Sequence, residues 1–387
     1  FFRQILTAIV LMVLATAIEF AGFKTVQWWS FEALALLYCG VRWNYKFVWT
    51  SGAVVYGFAL LKMLYVTESF STSPVVDAGL LLNQRAFTLT LFSASIGVGA
   101  YLLKKGIDAH QQVVSNVLNY SWPVIVFILL TVETLGYFKL PSVLSGGELT
   151  EVIEFKELMT LAVVWMAYSL ALVWSGISKS VVPWQHVGLG AAVFSVCLAA
   201  LRGITYAPIQ EFALIVNFRV LTMLLVIGGA VTLAQWIRHK KFLGAWNTDA
   251  LSVVGVVIVI LLFDLITGET KDVFQKAKYL WEQATGYGDV SAELTRLSNL
   301  QQLSLSGIWL LYSVVLMVVG LWRRQRGIRI SSIVLFGFTI LKIFIYDLSF
   351  LETLYRIFSF IGLGVILLAV SYLYQKYKHV ILGEVKG

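Results

Sequence analysis

The sequence predicts an all-α membrane protein, a polytopic bundle of about 12 transmembrane helices in three parallel four-helix repeats. Three observations lead there. Of 387 residues, 59% are hydrophobic and only 13% charged, a balance that cannot be buried inside water-soluble cores. The apolar residues fall in long runs, and about 20 apolar residues are what a helix needs to cross a hydrocarbon layer of about 30 Å. Residue patterns also recur at a fixed offset along the chain.

The runs lie at 4–23, 27–41, 46–66, 86–103, 120–138, 158–178, 182–201, 212–237, 250–267, 303–322, 328–348 and 355–375. Strands are excluded, because the runs lack the alternation that a lipid-facing barrel requires. The first run follows Phe1-Phe2-Arg3 and contains Ala15-Thr16-Ala17, an outline like that of a signal peptide. Its place in the repeat makes it a span, and with no initiator Met a fragment is the expectation. The second run is short and carries Glu32. Two polar stretches, 139–157 and 268–302, have apolar residues at helical intervals, as in Val273, Phe274, Ala277, Leu280 and Trp281, and read as surface or interfacial helices.

Charge sets the orientation. With the helices alternating, one side collects Arg3, Arg42, Lys46, Lys104, Lys105, Lys179, Arg238, Lys240, Lys241, Arg323, Arg324, Arg326, Arg329, Lys376, Lys378 and Lys386. Those 16 basic residues face only the acids Asp108, Asp249 and Glu384 on the same side. The positive-inside rule makes that side cytoplasmic, with both termini there. The net charge of +8 is therefore a topology signal, scattered between apolar runs, and no nucleic-acid partner is expected.

Residues 29–70 and 309–350 match without gaps at an offset of 280, with 11 identities that include Trp29/Trp309, Gly40/Gly320, Phe58/Phe338 and Lys62/Lys342. Trp165 and Tyr168 resemble Trp309 and Tyr312, and Arg202 is placed with Lys62 and Lys342. The expected divisions are 1–105, 119–241 and 249–378, the last with 268–302 as an outer-side insertion. An even number of helices per unit makes the units parallel.

Polar residues recur with the unit. The first helix carries Glu19, Glu133 or Asp264 near its outer end, and the third ends in Lys62, Arg202 or Lys342. The following connection holds Glu68, Glu211, or Asp347 with Glu352, and the fourth helix starts at Arg85, Arg219 or Arg356. Ionisable groups at the hydrocarbon boundary must pair or reach water. Two roles stay open: ion-pair latches between helix ends, or an outward cavity that binds an anionic headgroup, sugar or ion. Lys342, Asp347, Glu352 and Arg356 make the third set the densest.

Other chemistry is not indicated. Cys39 and Cys197 lie far apart in apolar runs, and His110, His186, His239 and His379 lack metal-ligand spacing. Gly97-Val-Gly99 and Gly228-Gly229 fall inside apolar helices, where glycine serves packing. No metal, cofactor or catalytic residue is expected.

The carboxy-terminal runs Arg326-Gly-Ile-Arg-Ile, Thr339-Ile-Leu-Lys342-Ile-Phe-Ile-Tyr-Asp347-Leu-Ser349, Tyr355-Arg356-Ile-Phe-Ser359-Phe-Ile-Gly-Leu-Gly364 and Ser371-Tyr-Leu-Tyr374 resemble the bacterial membrane-protein family called domain of unknown function 2339. The resemblance implies a bacterial inner-membrane protein and supplies no catalytic residues. The expected function is non-enzymatic: binding or moving an amphiphilic or anionic envelope component, lipid or glycan, at the extracytoplasmic side. The alternatives are a scaffold docking an extracytoplasmic protein through 139–157 and 268–302, or a transferase acting on a lipid-linked substrate. Membrane lipids are the expected partners.

Overall fold

The computed structural model describes residues 2–65, 82–104, 109–145, 151–285, 291–323 and 325–347, with isolated helical positions between 357 and 375. Every long element among the described residues is a helix: α1 (Phe2–Glu19), α2 (Phe23–Arg42), α3 (Lys46–Tyr65), α4 (Gln84–Lys104), α5 (Ala109–Ser145), α6 (Glu151–Ser178), α7 (Val182–Gly203), α8 (Phe218–Lys240), α9 (Asn247–Thr285), α10 (Ser291–Trp322) and α11 (Arg326–Ile345). Of these, the nine from α3 to α11 are long and apolar enough to cross a membrane. α2 carries Lys24, Gln27 and Glu32, which dilute its apolar content. The expected twelfth span, 355–375, lies largely outside the described residues.

The polar stretches 139–157 and 268–302 are not separate surface helices. They continue the spans on either side: α5 runs on to Ser145, α6 begins at Glu151, α9 runs on to Thr285 and α10 begins at Ser291. Their apolar residues keep helical spacing, and α5 carries Pro141 without ending there. At 39 residues α9 is about 58 Å long at 1.5 Å per residue, nearly twice the hydrocarbon thickness of about 30 Å.

The chain divides into two compact units, Phe1–Ser195 and Val196–Gly387, and α7 runs through the division. In the first, α2 packs on α3 and α4, α4 on α5, and α5 on α6. Its core joins Val26, Ala33 and Leu37 of α2 to Trp49, Tyr56 and Met63 of α3 and to Leu89, Phe92 and Ile96 of α4. In the second, α9 packs on α8, α10 and α11, and α10 packs on α11. Large apolar side chains such as Leu61, Val193, Leu311 and Val334 stand exposed, a surface suited to lipid rather than water.

One helical hairpin occurs three times, in α2–α3, α6–α7 and α10–α11. The carbonyls of Gly40, Gly176 and Gly320 accept the N–H of Tyr45 (2.9 Å), Val181 (2.9 Å) and Gln325 (3.1 Å), closing each turn. Asn44 and Ser180 occupy the same turn position with φ of 54° each. The glycines allow the returning helix to come close. A Cβ on Gly40 would run into the Trp49 backbone nitrogen, and one on Gly176 or Gly320 would lie 3.0 Å from the nitrogen of Gln185 or Arg329. Each hairpin also pairs an indole with a phenyl ring, Trp29 with Phe58 (6.4 Å), Trp165 with Phe194 (6.1 Å) and Trp309 with Phe338 (6.1 Å). In this register Leu198, not Arg202, stands level with Lys62 and Lys342; Arg202 lies one turn further along.

Candidate functional site

Two buried polar clusters share one construction. At the start of α4, the Asn83 Oδ1 accepts the Ala86 N–H (2.7 Å) and so caps the helix, while its Nδ2 donates to Glu133 Oε2 of α5 (2.8 Å). Arg85 then donates to Glu133 Oε1 through Nε (3.0 Å) and Nη2 (2.7 Å). At the start of α8, Asn217 Oδ1 accepts the Val220 N–H (2.9 Å) and its Nδ2 donates to Glu269 Oε1 of α9 (2.7 Å). Arg219 donates to the same Oε1 through Nε (3.2 Å) and Nη2 (2.6 Å).

The sequence signals are Asn-x-Arg where a helix begins and Thr-x-Glu on the next helix. Thr131 Oγ1 accepts from Trp165 Nε1 (2.8 Å) and Thr267 Oγ1 from Trp309 Nε1 (3.0 Å), fixing the acid-bearing turns of α5 and α9 in one register. Tyr168 and Tyr312 likewise donate to the carbonyls of Pro123 (2.6 Å) and Val259 (2.8 Å). Glu269 therefore stands where Glu133 stands, and the expected match of Asp264 with Glu133 is corrected. A shift of five residues turns a side chain by about 140° around the helix. Each latch also joins a helix to the next one in the chain, across the boundaries expected at 105–119 and 241–249, rather than closing one four-helix set on itself.

The second cluster is larger. Arg219, fully buried, also donates through Nη1 to Asp272 Oδ2 (2.5 Å) and to the Gly203 carbonyl (3.3 Å). Its guanidinium lies over the rings of Tyr206 (5.6 Å) and Phe212 (5.9 Å). Glu269 Oε2 accepts the N–H of Ile215 (2.8 Å). Glu269 and Asp272 were not among the residues singled out from the sequence.

The third cluster centres on Lys342 at the end of α11. Its Nζ donates to Asp347 Oδ1 (2.8 Å), Ser306 Oγ (2.7 Å) and the Gln302 carbonyl (3.2 Å), and Ser306 donates to Asp347 Oδ2 (2.5 Å). Beside it opens a cavity of about 430 Å³ lined by Gln302, Trp309, Phe338, Leu341, Lys342, Ile345 and Tyr346. The ammonium lies 5.6 Å from the Trp309 ring and 5.9 Å from that of Tyr346.

The remaining sequence candidates are dispersed. Glu19 and Glu211 are exposed, and Lys62 is half-buried with its ammonium 5.7 Å from the Tyr65 ring. Arg202 lies in the last turn of α7. Glu68, Glu352 and Arg356 lie outside the described residues. Among the described residues no group of His, Cys, Asp and Glu is arranged to hold a metal ion.

Over residues 4–377 the chain matches, and belongs to, the family described as Predicted membrane protein (DUF2339). No curated protein and no solved structure matches it. It is a helical membrane protein with many apolar spans.

Proposed function

We propose that this DUF2339 member is a non-enzymatic protein of the bacterial inner membrane that binds, or helps to move, an amphiphile with an anionic headgroup at its extracytoplasmic side. The cavity at Lys342 carries the reading. Aromatic and aliphatic walls suit an acyl or isoprenoid chain, and one cation with a hydroxyl beside it suits the headgroup. Arg85 and Arg219 are already engaged by carboxylates and buried, which favours a latching role for them. In this reading the protein is built of three parallel four-helix sets, 1–105, 119–241 and 249–378, with both termini cytoplasmic. The thrice-repeated hairpin supports the sets, and the clustering of basic residues supports the orientation.

Phospholipid retained through detergent purification, measured by mass spectrometry, tests the site. Lys342→Met alone strands the buried Asp347 and is expected to lower stability by about 3–5 kcal/mol. Lys342→Met with Asp347→Asn should restore thermal stability but keep anionic lipid at least ~5-fold below wild type, the factor worth about 1 kcal/mol per cation. Recovery of both stability and lipid in the double variant would show that the pair is only structural.

A docking role has its own support. α9 and α10 continue beyond the length a bilayer needs, and Val273, Leu280 and Trp281 of α9 are exposed. An extracytoplasmic partner seated on 268–302 fits that projection.

A further inference from the structure

The two latches differ in the acids that the second helix supplies. On α5, Glu133 pairs with Arg85. Around Arg219, α9 brings Asp264, Glu269 and Asp272, each less than a tenth exposed. The positions equivalent to Asp264 and Asp272 on α5, in the register set by Thr131 and Thr267, are Ile128 and Gly136. The surplus acids therefore belong to the second cluster and not to the latch as such.

The donors do not reach all three. Glu269 is engaged at both oxygens, by Arg219, Asn217 and the Ile215 N–H. Asp272 accepts from Arg219 at Oδ2, while its Oδ1 has no donor among the described residues. Asp264, 8% exposed, has no donor at Oδ2 among the described residues. That oxygen is aimed at the end of α7: a Cβ on Gly203 would lie 2.6 Å from it, and the Gly203 carbonyl is the one that accepts from Arg219. A Cβ on Gly268 would lie 2.8 Å from Arg219 Nη1, so both glycines keep room for the cage.

Of the other ionisable groups on these elements, Arg202 stands beside Gly203 in the last turn of α7 and is exposed. Lys276 donates to the Phe212 carbonyl (2.6 Å), Lys271 lies half-buried next to Asp272 in the chain, and Tyr206 faces Arg219. From α10, Tyr312 donates to Val259, and from α11, Lys342 is held by Asp347. One guanidinium cannot offset three buried carboxylates, and an orphaned carboxylate oxygen is costly to bury. The acids do not converge as metal ligands. A proton answers both needs, since it removes a negative charge and leaves a neutral group at the orphaned position.

We propose that Asp264 is a proton-binding site, its carboxyl protonated while the Arg219 cage is assembled and releasing the proton when the cage opens. Infrared spectroscopy of the purified protein in lipid nanodiscs tests this. At pH 7 the C=O band of a protonated carboxyl should be present, should shift when aspartate is ¹³C-labelled, should fade as the pH is raised, and should be missing in Asp264→Asn. The variant should match wild-type thermal stability at pH 7 and lack the loss of stability that wild type shows on alkalinisation. A spectrum with no protonated band at pH 7 overturns the proposal. So does a band that ignores aspartate labelling, or one that survives in Asp264→Asn and disappears in Asp272→Asn. The labelling arm uses the wild-type protein, so the test stands even where a variant fails to fold.

Discussion

Asn83 and Asn217 each perform two tasks with one amide, capping a helix through the oxygen and gripping a carboxylate of the next helix through the nitrogen. The Arg two residues on completes the grip, so three side chains fix the helix start and its neighbour together. Removing one partner takes the opposite charge away from a buried ion, whereas removing both removes the charges together. Glu133→Leu is therefore expected to lower stability by about 3–5 kcal/mol, and Glu133→Leu with Arg85→Leu to recover to within about 1–2 kcal/mol of wild type. Thermal unfolding in detergent measures both. Equal losses in the single and the double variant would mean that Arg85 contributes packing and not charge pairing. The Arg and Glu133 were legible in the sequence as ionisable groups at span ends. The Asn caps and Glu269 were not, because Asn-x-Arg is too short to stand out and its meaning appears only when the next helix brings its acid alongside.

The hairpins depend on glycine where backbones meet. Gly40 faces the Trp49 backbone, which cannot move aside as a flexible side chain can, while Gly57 has nothing within 4 Å of a Cβ and sits inside α3. Gly40→Ala is expected to cost about 1–3 kcal/mol through overpacking, and Gly57→Ala to stabilise by up to about 1 kcal/mol through helix propensity. A Gly40→Ala variant as stable as wild type would show that the α2–α3 approach is looser than the contact implies. Eleven of the 12 expected spans correspond to helices here, because runs of apolar residues at this length leave the chain no other way to satisfy its backbone. Helix ends were less legible. The continuations of α5, α6, α9 and α10 beyond their apolar runs are polar, and hydropathy records where lipid stops rather than where the helix stops.

Across the whole molecule, the asymmetry of charge is the one sequence feature that addresses orientation, and it acts through a different physics from packing. Contacts fix which helices neighbour each other; the cost of moving Lys and Arg across the membrane fixes which ends stay inside. α9 supplies a ruler. Lys240, the last residue of α8, precedes the start of α9, and Glu282 stands near the far end of α9; both are exposed, and α9 from Asn247 to Glu282 is by itself longer than a bilayer's hydrocarbon thickness. In a background with Cys39→Ala and Cys197→Ala, a membrane-impermeant thiol reagent added to intact cells should label Glu282→Cys and spare Lys240→Cys until the membrane is opened. The reverse pattern would invert the assigned orientation and move the Lys342 cavity to the cytoplasmic leaflet. Labelling of both positions from one side would carry a larger consequence, since α9 would then not span, and the alternation on which the charge sorting rests would fail from that helix onward.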